Sequence, residues 1–163
     1  MTKREKTMTC TFFGHRDTSP TVKPLLRQVI IELIVSHGVT RFYVGNQGSF
    51  DAIARSLLAE LAQTYPIHYD VVLAYLPKEN DPSLDGSHTI LPDGFETVPL
   101  RFAIDHRNRW MIDQSDIVIT YACSSIGGAA KFKALAERKG KTVVEIADSD
   151  LNSDKSSCII EKL

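Results

Sequence analysis

"RFYVGNQGSFD", residues 41–51, is the stretch that decides the fold. It opens with aromatic and β-branched residues, which favour a buried strand. The next four residues are two glycines and two amides, a composition that neither a strand nor a helix accepts readily. A helical pattern begins directly afterwards, with Ser49 as its predicted cap. The stretch therefore predicts a strand, a tight polar loop and a helix, and its glycines would let the loop backbone approach a ligand closely.

The same order of strand, loop and helix recurs along the chain. Apolar residues repeat at helical spacing after the first, second and fourth predicted strands, and again in residues 100–111. Strongly apolar runs such as residues 115–122 are typical of strands buried on both faces. This alternation predicts an α/β fold with a mostly parallel five-stranded sheet and helices on both faces. The predicted strands are residues 9–15, 40–45, 67–76, 115–122 and 141–146.

The length of 163 residues suits one domain of common size. No repeat or linker divides the chain, so a single domain is expected over residues 1–163, with its core in residues 9–146. Residues 77–96 form a long polar stretch without a clear period. We expect a binding loop or lid that borders the ligand site; a disordered insertion is the alternative. The polar tail, residues 147–163, is expected to be loosely held.

Composition and charge exclude several classes of function. The formal net charge is −1, so no global field attracts nucleic acid or an anionic membrane. The apolar runs are too short to span a membrane, and no apolar segment follows the charged N-terminus, so no signal peptide is expected. The three cysteines lie far apart without CxxC spacing, and the histidines show no metal spacing. We therefore expect a cytoplasmic protein with reduced thiols and no metal site.

Three loops that contain glycine and polar residues follow predicted strands. In a parallel sheet such loops meet at the carboxyl edge, where ligands bind. Each leads into a helix N-terminus, whose unpaired N–H groups and dipole favour an anion such as phosphate. The amides of the second loop suit a ribose or a base edge. The candidate ligand-binding residues are Gly14, His15 and Arg16 in the first loop, Gly45, Asn46, Gln47, Gly48 and Asp51 in the second, and Ser124, Ser125, Gly127 and Gly128 in the third.

Two residues of this set leave alternatives open. His15 could hold a phosphate, act as acid or base, or only order its loop. Arg107 lies on the apolar side of its predicted helix, and a buried guanidinium must be paired. Its partner is a ligand phosphate, gripped by two hydrogen bonds, or an internal carboxylate. Asn108 would add an amide to the same site. The candidate carboxylates are Asp17, Asp51 and Asp116.

Four segments together resemble a known superfamily. They are "FFGHRD" (12–17), "VGNQGSFD" (44–51), "AIDHRNRWMIDQSDIVITY" (103–121) and "GGAAKFKALAERKGKTVVEI" (127–146). Their order and spacing resemble the SLOG superfamily (SMF/DprA–LOG), above all its small bacterial and phage branch of single-domain members. The resemblance covers residues 9–146 apart from the long loop. It implies a Rossmann-like three-layer sandwich that binds a nucleotide or a nucleotide-derived ligand.

The resemblance also brings in an enzyme, because the LOG branch includes phosphoribohydrolases that release a base from a nucleoside monophosphate. "HRNRWM" resembles that branch's Arg-Lys pair, with Arg107 at the arginine and Asn108 in place of the lysine. Gly127 and Gly128 resemble its glycine-rich turn, but no glutamate follows in "AAKFKAL". A carboxylate is needed at a glycosidic centre. The candidates to supply it are Asp51, Glu96 and Asp17.

The expected function is therefore binding of a nucleotide-like small molecule, as sensor or carrier. Cleavage or transfer of an N-glycosidic bond is the alternative. Binding of single-stranded DNA would need a basic groove with stacking aromatics, and the net charge does not support it, so nucleic acid is not an expected partner. A homo-oligomer is expected, and no cofactor is.

Overall fold

The computed structural model describes residues 7–76, 88–121 and 128–146. In these segments six parallel strands form one sheet. The strands are β1 (Met8–Gly14), β2 (Val39–Val44), β3 (His68–Val72), β4 (Thr89–Ile90), β5 (Ile117–Tyr121) and β6 (Thr142–Ile146). Their spatial order is β4-β3-β2-β1-β5-β6, and each neighbouring pair is parallel. Four helices connect them, α1 (Lys23–His37), α2 (Gly48–Leu61), α3 (Leu100–Gln114) and α4 (Gly128–Arg138).

The predicted α/β class is confirmed, but the prediction of five strands is wrong. The sixth, β4, lies inside the long polar stretch and pairs with β3, Val71 opposite Thr89 and Val72 opposite Ile90. The N–H of Leu73 donates to the carbonyl of Ile90 at 2.8 Å. Two residues are too few to give a periodic pattern; the strand is held by its pairing with β3 and by Ile90, which packs against the second core cluster. Residues 77–87 of the predicted loop lie outside the described residues, as does the tail from residue 147.

Side chains of the central strand alternate between the two faces of the sheet. Cys10 and Phe12 pack in the core beneath α1 and α2, which also contains Leu26 and Leu58. Phe13 points to the other face, where it packs in a second cluster formed by α3 and α4 and stacks on Phe132, with the ring centroids 5.3 Å apart. The three layers that the sequence predicted are therefore present. Among the described segments, none of the helices combines the length and apolar character needed to cross a bilayer.

The connections of β1 and β5 create a crevice between these neighbouring strands. The chain leaves β1 towards α1 on one face, whereas α4, which follows β5, packs on the other face. In open α/β sheets ligands bind at such a switch point, beyond the carboxyl ends of the strands. The topology thus marks the region between the first and third predicted loops.

The start of α2 differs from the prediction. Its N-cap residue is Gln47, and Ser49 lies inside the helix, where its N–H donates to the carbonyl of Arg16 at 2.8 Å. The helix starts with Gly48 in the left-handed region, at φ 86°. The first turn is held by this backbone contact to the neighbouring loop, and the side chain of the N-cap residue Gln47 makes no capping hydrogen bond.

Gly14→Ala is expected to lower the free energy of unfolding by about 1–3 kcal/mol, the range for overpacking a well-filled core. A Cβ at position 14 would lie 2.2 Å from Cγ of the buried Phe50. Gly128→Ala is the matched control, because no heavy atom of the described residues lies within 4 Å of a Cβ built there. Urea unfolding measures both variants. Equal stabilities would contradict the packing of Phe50 against Gly14.

Candidate functional site

A cleft of about 300 Å³ opens at the carboxyl edge, between α3 and α4 and above the end of β1. This volume is at the lower end of the range for small-molecule sites. The cleft lies on the α3 and α4 face, beside the switch point. It is lined by Phe12, Phe13, Gly14, His15, Arg16, Gln47, Asp51, Ile104, Arg107, Asn108, Met111, Gly128, Ala129 and Phe132.

Arg107 is the buried cation of this cleft, with 2% of its surface exposed. Its Nε donates to Oδ1 of Asn108 at 2.7 Å, and its Nη1 donates to the carbonyl of Val72 and to Oδ1 of Asn46, both at 3.3 Å. These bonds tie α3 to the end of β3 and to the loop after β2. The other terminal nitrogen, Nη2, has no hydrogen-bond acceptor within the described residues.

Asp51 is the buried carboxylate beside Arg107. Its Oδ2 accepts a hydrogen bond from the backbone N–H of Gln47 at 3.0 Å. Burial raises the pKa of Asp51, and the charge of Arg107 and the Gln47 N–H oppose that rise. Burial in turn lowers the pKa of Arg107, with Asp51 opposing, and an arginine remains charged. The two charges therefore stabilise each other in a poorly solvated place.

Of the three carboxylates proposed as partners of Arg107, Asp51 is the one that interacts with it. Asp17 is exposed in the loop after β1. Asp116 lies at the opposite, amino edge of the sheet, where its Oδ2 accepts from the N–H of Thr9 at 3.1 Å.

The glycines of the opening stretch are explained by contacts inside the protein. A Cβ at Gly45 would lie 2.6 Å from Oδ2 of Asp51 and 2.7 Å from Nη1 of Arg107, so both charged groups converge on this backbone. A Cβ at Gly48 would lie 2.7 Å from Cα of Arg16, and its φ is unfavourable for other residues. Packing of charged side chains and of two loops therefore requires both glycines, whatever ligand binds.

The described structure brings most of the sequence-predicted site residues together. Three of them contact the site without lining the cleft: Gly45 under the two charges, Asn46 bonded to Arg107, and Gly48 against Arg16. Ser124, Ser125 and Gly127 lie outside the described residues. The residues that line the cleft directly are Gly14, His15, Arg16, Gln47, Asp51, Arg107, Asn108 and Gly128.

Two of the candidate catalytic carboxylates lie away from the cleft. Asp17 and Glu96 are exposed, and neither lines it; Glu96 lies in a short 3₁₀ turn, Phe95–Thr97. Asp51 is the candidate that does. Within the described residues, no group of three or more histidines, cysteines or acids could hold a metal ion.

Sequence reasoning missed Tyr75 beside the cleft. Its hydroxyl accepts a hydrogen bond from Nε2 of Gln47 at 3.3 Å, and its phenol interacts electrostatically with Arg107. The prediction extended the third strand to residue 76, whereas β3 ends at Val72. The available signal was position, because residues just beyond a parallel strand's carboxyl end lie at the ligand edge.

Exposed ion pairs hold α3 against α4. Asp105 bonds Lys131 and, on its own helix, the Nε of Arg109 at 2.7 Å. Asp113 bonds Lys139 further along the same pair of helices. Exposed pairs of this kind contribute little stability, yet they lie alongside the two helices that wall the cleft.

No protein-family model matches the chain, and no curated protein matches it. Among the solved structures that share its fold are two of DNA processing protein A. The X-ray structure of DNA processing protein A from Streptococcus pneumoniae has a TM-score of 0.67 and 19% identity over 96% of this chain and 56% of that one. The single-stranded-DNA-binding DNA processing protein A from Helicobacter pylori has a TM-score of 0.61 and 18% identity over 95% of this chain and 72% of that one. The chain thus spans about half of the pneumococcal protein.

These comparisons correct one expectation and confirm another. The expectation that nucleic acid is not a partner was wrong as reasoned, because the H. pylori protein, which shares this fold, binds single-stranded DNA. A net charge near zero describes the whole chain and sets no limit on a local basic site. The fold implied by the sequence resemblance is confirmed: the chain has the Rossmann-like α/β fold of these two DNA processing proteins.

Arg107→Met is expected to destabilise the protein by about 3–5 kcal/mol near pH 7, because it removes the cation that interacts most strongly with the buried Asp51 and leaves only the weaker interaction with Arg55. The loss should shrink towards pH 4. Burial holds the folded-state pKa of Asp51 above its unfolded value of about 3.9. The free energy of unfolding therefore falls as the pH rises from the unfolded-state pKa to the folded-state pKa. Removing Arg107 raises the folded-state pKa of Asp51 further, because the charge of Arg107 lowers it in the wild type.

Urea unfolding of the wild type, Arg107→Met and Arg107→Met/Asp51→Asn across pH 4–8 measures this effect. The double variant should regain part of the stability near neutral pH and lose the added pH dependence. A pH-independent loss that Asp51→Asn does not relieve would show that the two charges are uncoupled.

Proposed function

We propose that the chain binds a nucleotide or nucleotide-derived ligand in the cleft, as a sensor or carrier, with a ligand phosphate at Arg107. The observation that carries this proposal is that the guanidinium of Arg107 is buried and has one nitrogen without an acceptor in the part of the chain that the structure describes. It is almost fully buried and lines a cleft, and Nη2 has no acceptor within the described residues. Nη2 carries two N–H donors, and a guanidinium is a common partner of phosphate. A phosphate oxygen would satisfy the remaining donor.

The first turn of α4 supports the same position for an anion. Gly128 and Ala129, its first two residues, line the cleft opposite α3. The first N–H groups of a helix have no intrahelical acceptor, and the helix dipole adds partial positive charge there. The absence of a side chain at Gly128 leaves this helix end open to a ligand. A phosphate would thus contact α3 from one side and α4 from the other.

Amide groups in the cleft suit the rest of a nucleotide. Asn108 and Gln47 line it, and each amide can both donate and accept. Sugar hydroxyls and base edges present the same mixture of donors and acceptors, whereas the oxygens of a phosphate group are mainly acceptors. This mixture favours a nucleotide over a simple inorganic anion.

Cleavage of an N-glycosidic bond is the alternative function, and an assay for free base tests it. Asp51 is buried in the cleft with a raised pKa, which suits proton transfer. Free base should be assayed after incubation of the wild type and Asp51→Asn with nucleoside monophosphates. Base release that disappears in Asp51→Asn would make the protein an enzyme; binding without release supports the sensor or carrier.

Single-stranded DNA is a second candidate ligand, favoured by the comparison with the H. pylori protein. Arg16 is exposed at the cleft, and the rings of Tyr75 and Phe102 are 41% and 52% exposed. Both rings lie at the carboxyl edge, because Tyr75 follows β3 and Phe102 is in the first turn of α3. Basic groups with aromatic rings can hold phosphates and stack bases.

Arg107→Lys is expected to weaken binding of nucleoside monophosphates and ribose 5-phosphate by about 10- to 150-fold. Lysine lacks the Nη2 group that would donate to the phosphate, and a charge-assisted hydrogen bond contributes about 1.5–3 kcal/mol, where 1.4 kcal/mol is about tenfold. Isothermal titration calorimetry measures the affinities. Arg109→Lys is the matched control, because Arg109 lies on the same helix, is exposed and pairs with Asp105.

Gly128→Leu provides a second variant that does not disturb the buried charges. A side chain there meets no heavy atom of the described residues within 4 Å, so the fold should tolerate it while the leucine fills the anion position. Loss of binding in Gly128→Leu and Arg107→Lys, with Arg109→Lys unchanged, supports the proposal. If both variants fold and bind with wild-type affinity, the ligand does not bind at Arg107 and Gly128.

A labelled single-stranded oligonucleotide decides the second candidate. If DNA is the ligand, its affinity should fall steeply between about 50 and 200 mM salt, as phosphate neutralisation requires, and Arg107→Lys should weaken it. An oligonucleotide that fails to bind at the lower salt concentration, or that mononucleotides do not displace, would remove DNA as the occupant of this cleft.

A further inference from the structure

Tyr75 stands out among the exposed apolar side chains. Within the described residues, the large hydrophobic side chains exposed to solvent are Val35, Tyr75, Leu76, Leu100 and Phe102. Val35 lies near the end of α1, whereas the other four lie beyond the carboxyl ends of the strands or at the start of α3. Of these, Tyr75 is hydrogen-bonded to a residue that lines the cleft. An exposed aromatic ring is therefore fixed at the border of the proposed anion site.

The bond between Tyr75 and Gln47 leaves two polar groups available. Gln47 donates through Nε2 to the Tyr75 hydroxyl. This use of the amide nitrogen orients the opposite atom, Oε1, as an acceptor, and the phenolic hydrogen remains a donor. Neither has a hydrogen-bond partner within the described residues. One ring face, one acceptor and one donor thus occur together.

Both residues are positioned by the groups that hold Arg107. The N–H of Gln47 is bonded to Asp51, and its backbone is extended at φ −120° where α2 begins. Tyr75 follows Val72 by three residues, and the carbonyl of Val72 accepts from Arg107. The anion site and the aromatic border are therefore built on the same two strand ends. A ligand that reaches from Arg107 towards Gln47 would meet the ring of Tyr75.

We propose that Tyr75 and Gln47 form a base-recognition subsite, in which a base stacks on the Tyr75 ring and donates its exocyclic amino group to Oε1 of Gln47. The inference rests on the proposed binding of a nucleotide phosphate at Arg107. Aromatic rings stack on any base, so the ring supplies affinity without selection. The acceptor supplies the selection, since adenine and cytosine carry amino donors where hypoxanthine and uracil carry carbonyl oxygens.

The test compares the affinities of ribose 5-phosphate, AMP and IMP. Ribose 5-phosphate lacks the base, and AMP and IMP differ in the amino group that Gln47 would accept. With the wild type, AMP should bind about 5- to 140-fold more tightly than ribose 5-phosphate, the equivalent of about 1–3 kcal/mol of stacking. IMP should fall between them. Isothermal titration calorimetry gives the three affinities.

Variants separate the ring from the amide. Tyr75→Leu should abolish the advantage of AMP over ribose 5-phosphate, while Tyr75→Phe keeps most of it. Gln47→Met should remove the difference between AMP and IMP and leave stacking in place. Val35→Ala is the control, because Val35 is another exposed apolar side chain but lies near the end of α1, away from this edge.

The outcomes distinguish this inference from the proposal on which it rests. If ribose 5-phosphate binds and depends on Arg107, but AMP binds no better or Tyr75→Leu leaves the ratio unchanged, the base subsite is wrong and the phosphate site stands. If AMP and IMP bind equally to the wild type, Gln47 does not read an amino group. If neither ribose 5-phosphate nor any nucleotide binds, the proposed function fails and the subsite fails with it.

Discussion

Burial of one guanidinium is the constraint on which the carboxyl edge of this protein depends. Arg107 must be surrounded by acceptors because water does not reach most of it. The carbonyl at the end of β3, the amide oxygen after β2 and the neighbouring Asn108 meet that need in three directions. Each acceptor belongs to a different part of the chain, so the arginine fixes the relative positions of α3 and two loops. The same packing explains why Gly45 lacks a side chain. A residue that sequence reasoning treats as one ligand contact is also a structural centre of the edge.

This double role has a consequence for interpreting the site. Polar groups in a cleft are often assigned to a ligand because they are polar, but most of those around Arg107 have protein partners. Asn46 and the backbone of Val72 are bonded to the guanidinium, and Asp51 is bonded to Gln47. A binding site differs from a buried network in having polar groups whose hydrogen-bonding capacity the protein does not use. Here Nη2 of Arg107, the helix start at Gly128 and the amide oxygen of Gln47 have that capacity within the described residues.

The fold could be predicted further from the sequence than the site could. The strand-helix alternation and the apolar strands determine a parallel sheet with helices on both faces, because burial on two faces leaves a clear pattern. The two residues of β4 are too few to show such a pattern, although they pair with β3 and Ile90 packs against the core. The spacing in α3 was enough to predict that Arg107 is buried. Its partner could not be chosen from sequence, since Asp17, Asp51 and Asp116 differ only in where the fold carries them. The role of Tyr75 at the cleft was missed because β3 ends at Val72, three residues before Tyr75, whereas the apolar run continues past it.

The position of β1 at the centre of the sheet determines the order in which the two faces can form. This strand pairs with β2 and with β5, and Cys10 lies opposite Ile117, although more than a hundred residues of chain separate them. As the chain emerges from the ribosome, β1, β2 and β3 can associate with α1 and α2 and bury one face. Phe13, Tyr43 and Val72 on the other face have no cover until α3 and α4 follow. A nascent half-sheet of this kind exposes apolar surface, which chaperones commonly bind. The cleft, whose walls are α3 and α4, cannot form before α4 has been made, so a ligand that binds there cannot guide the assembly of the first half-sheet.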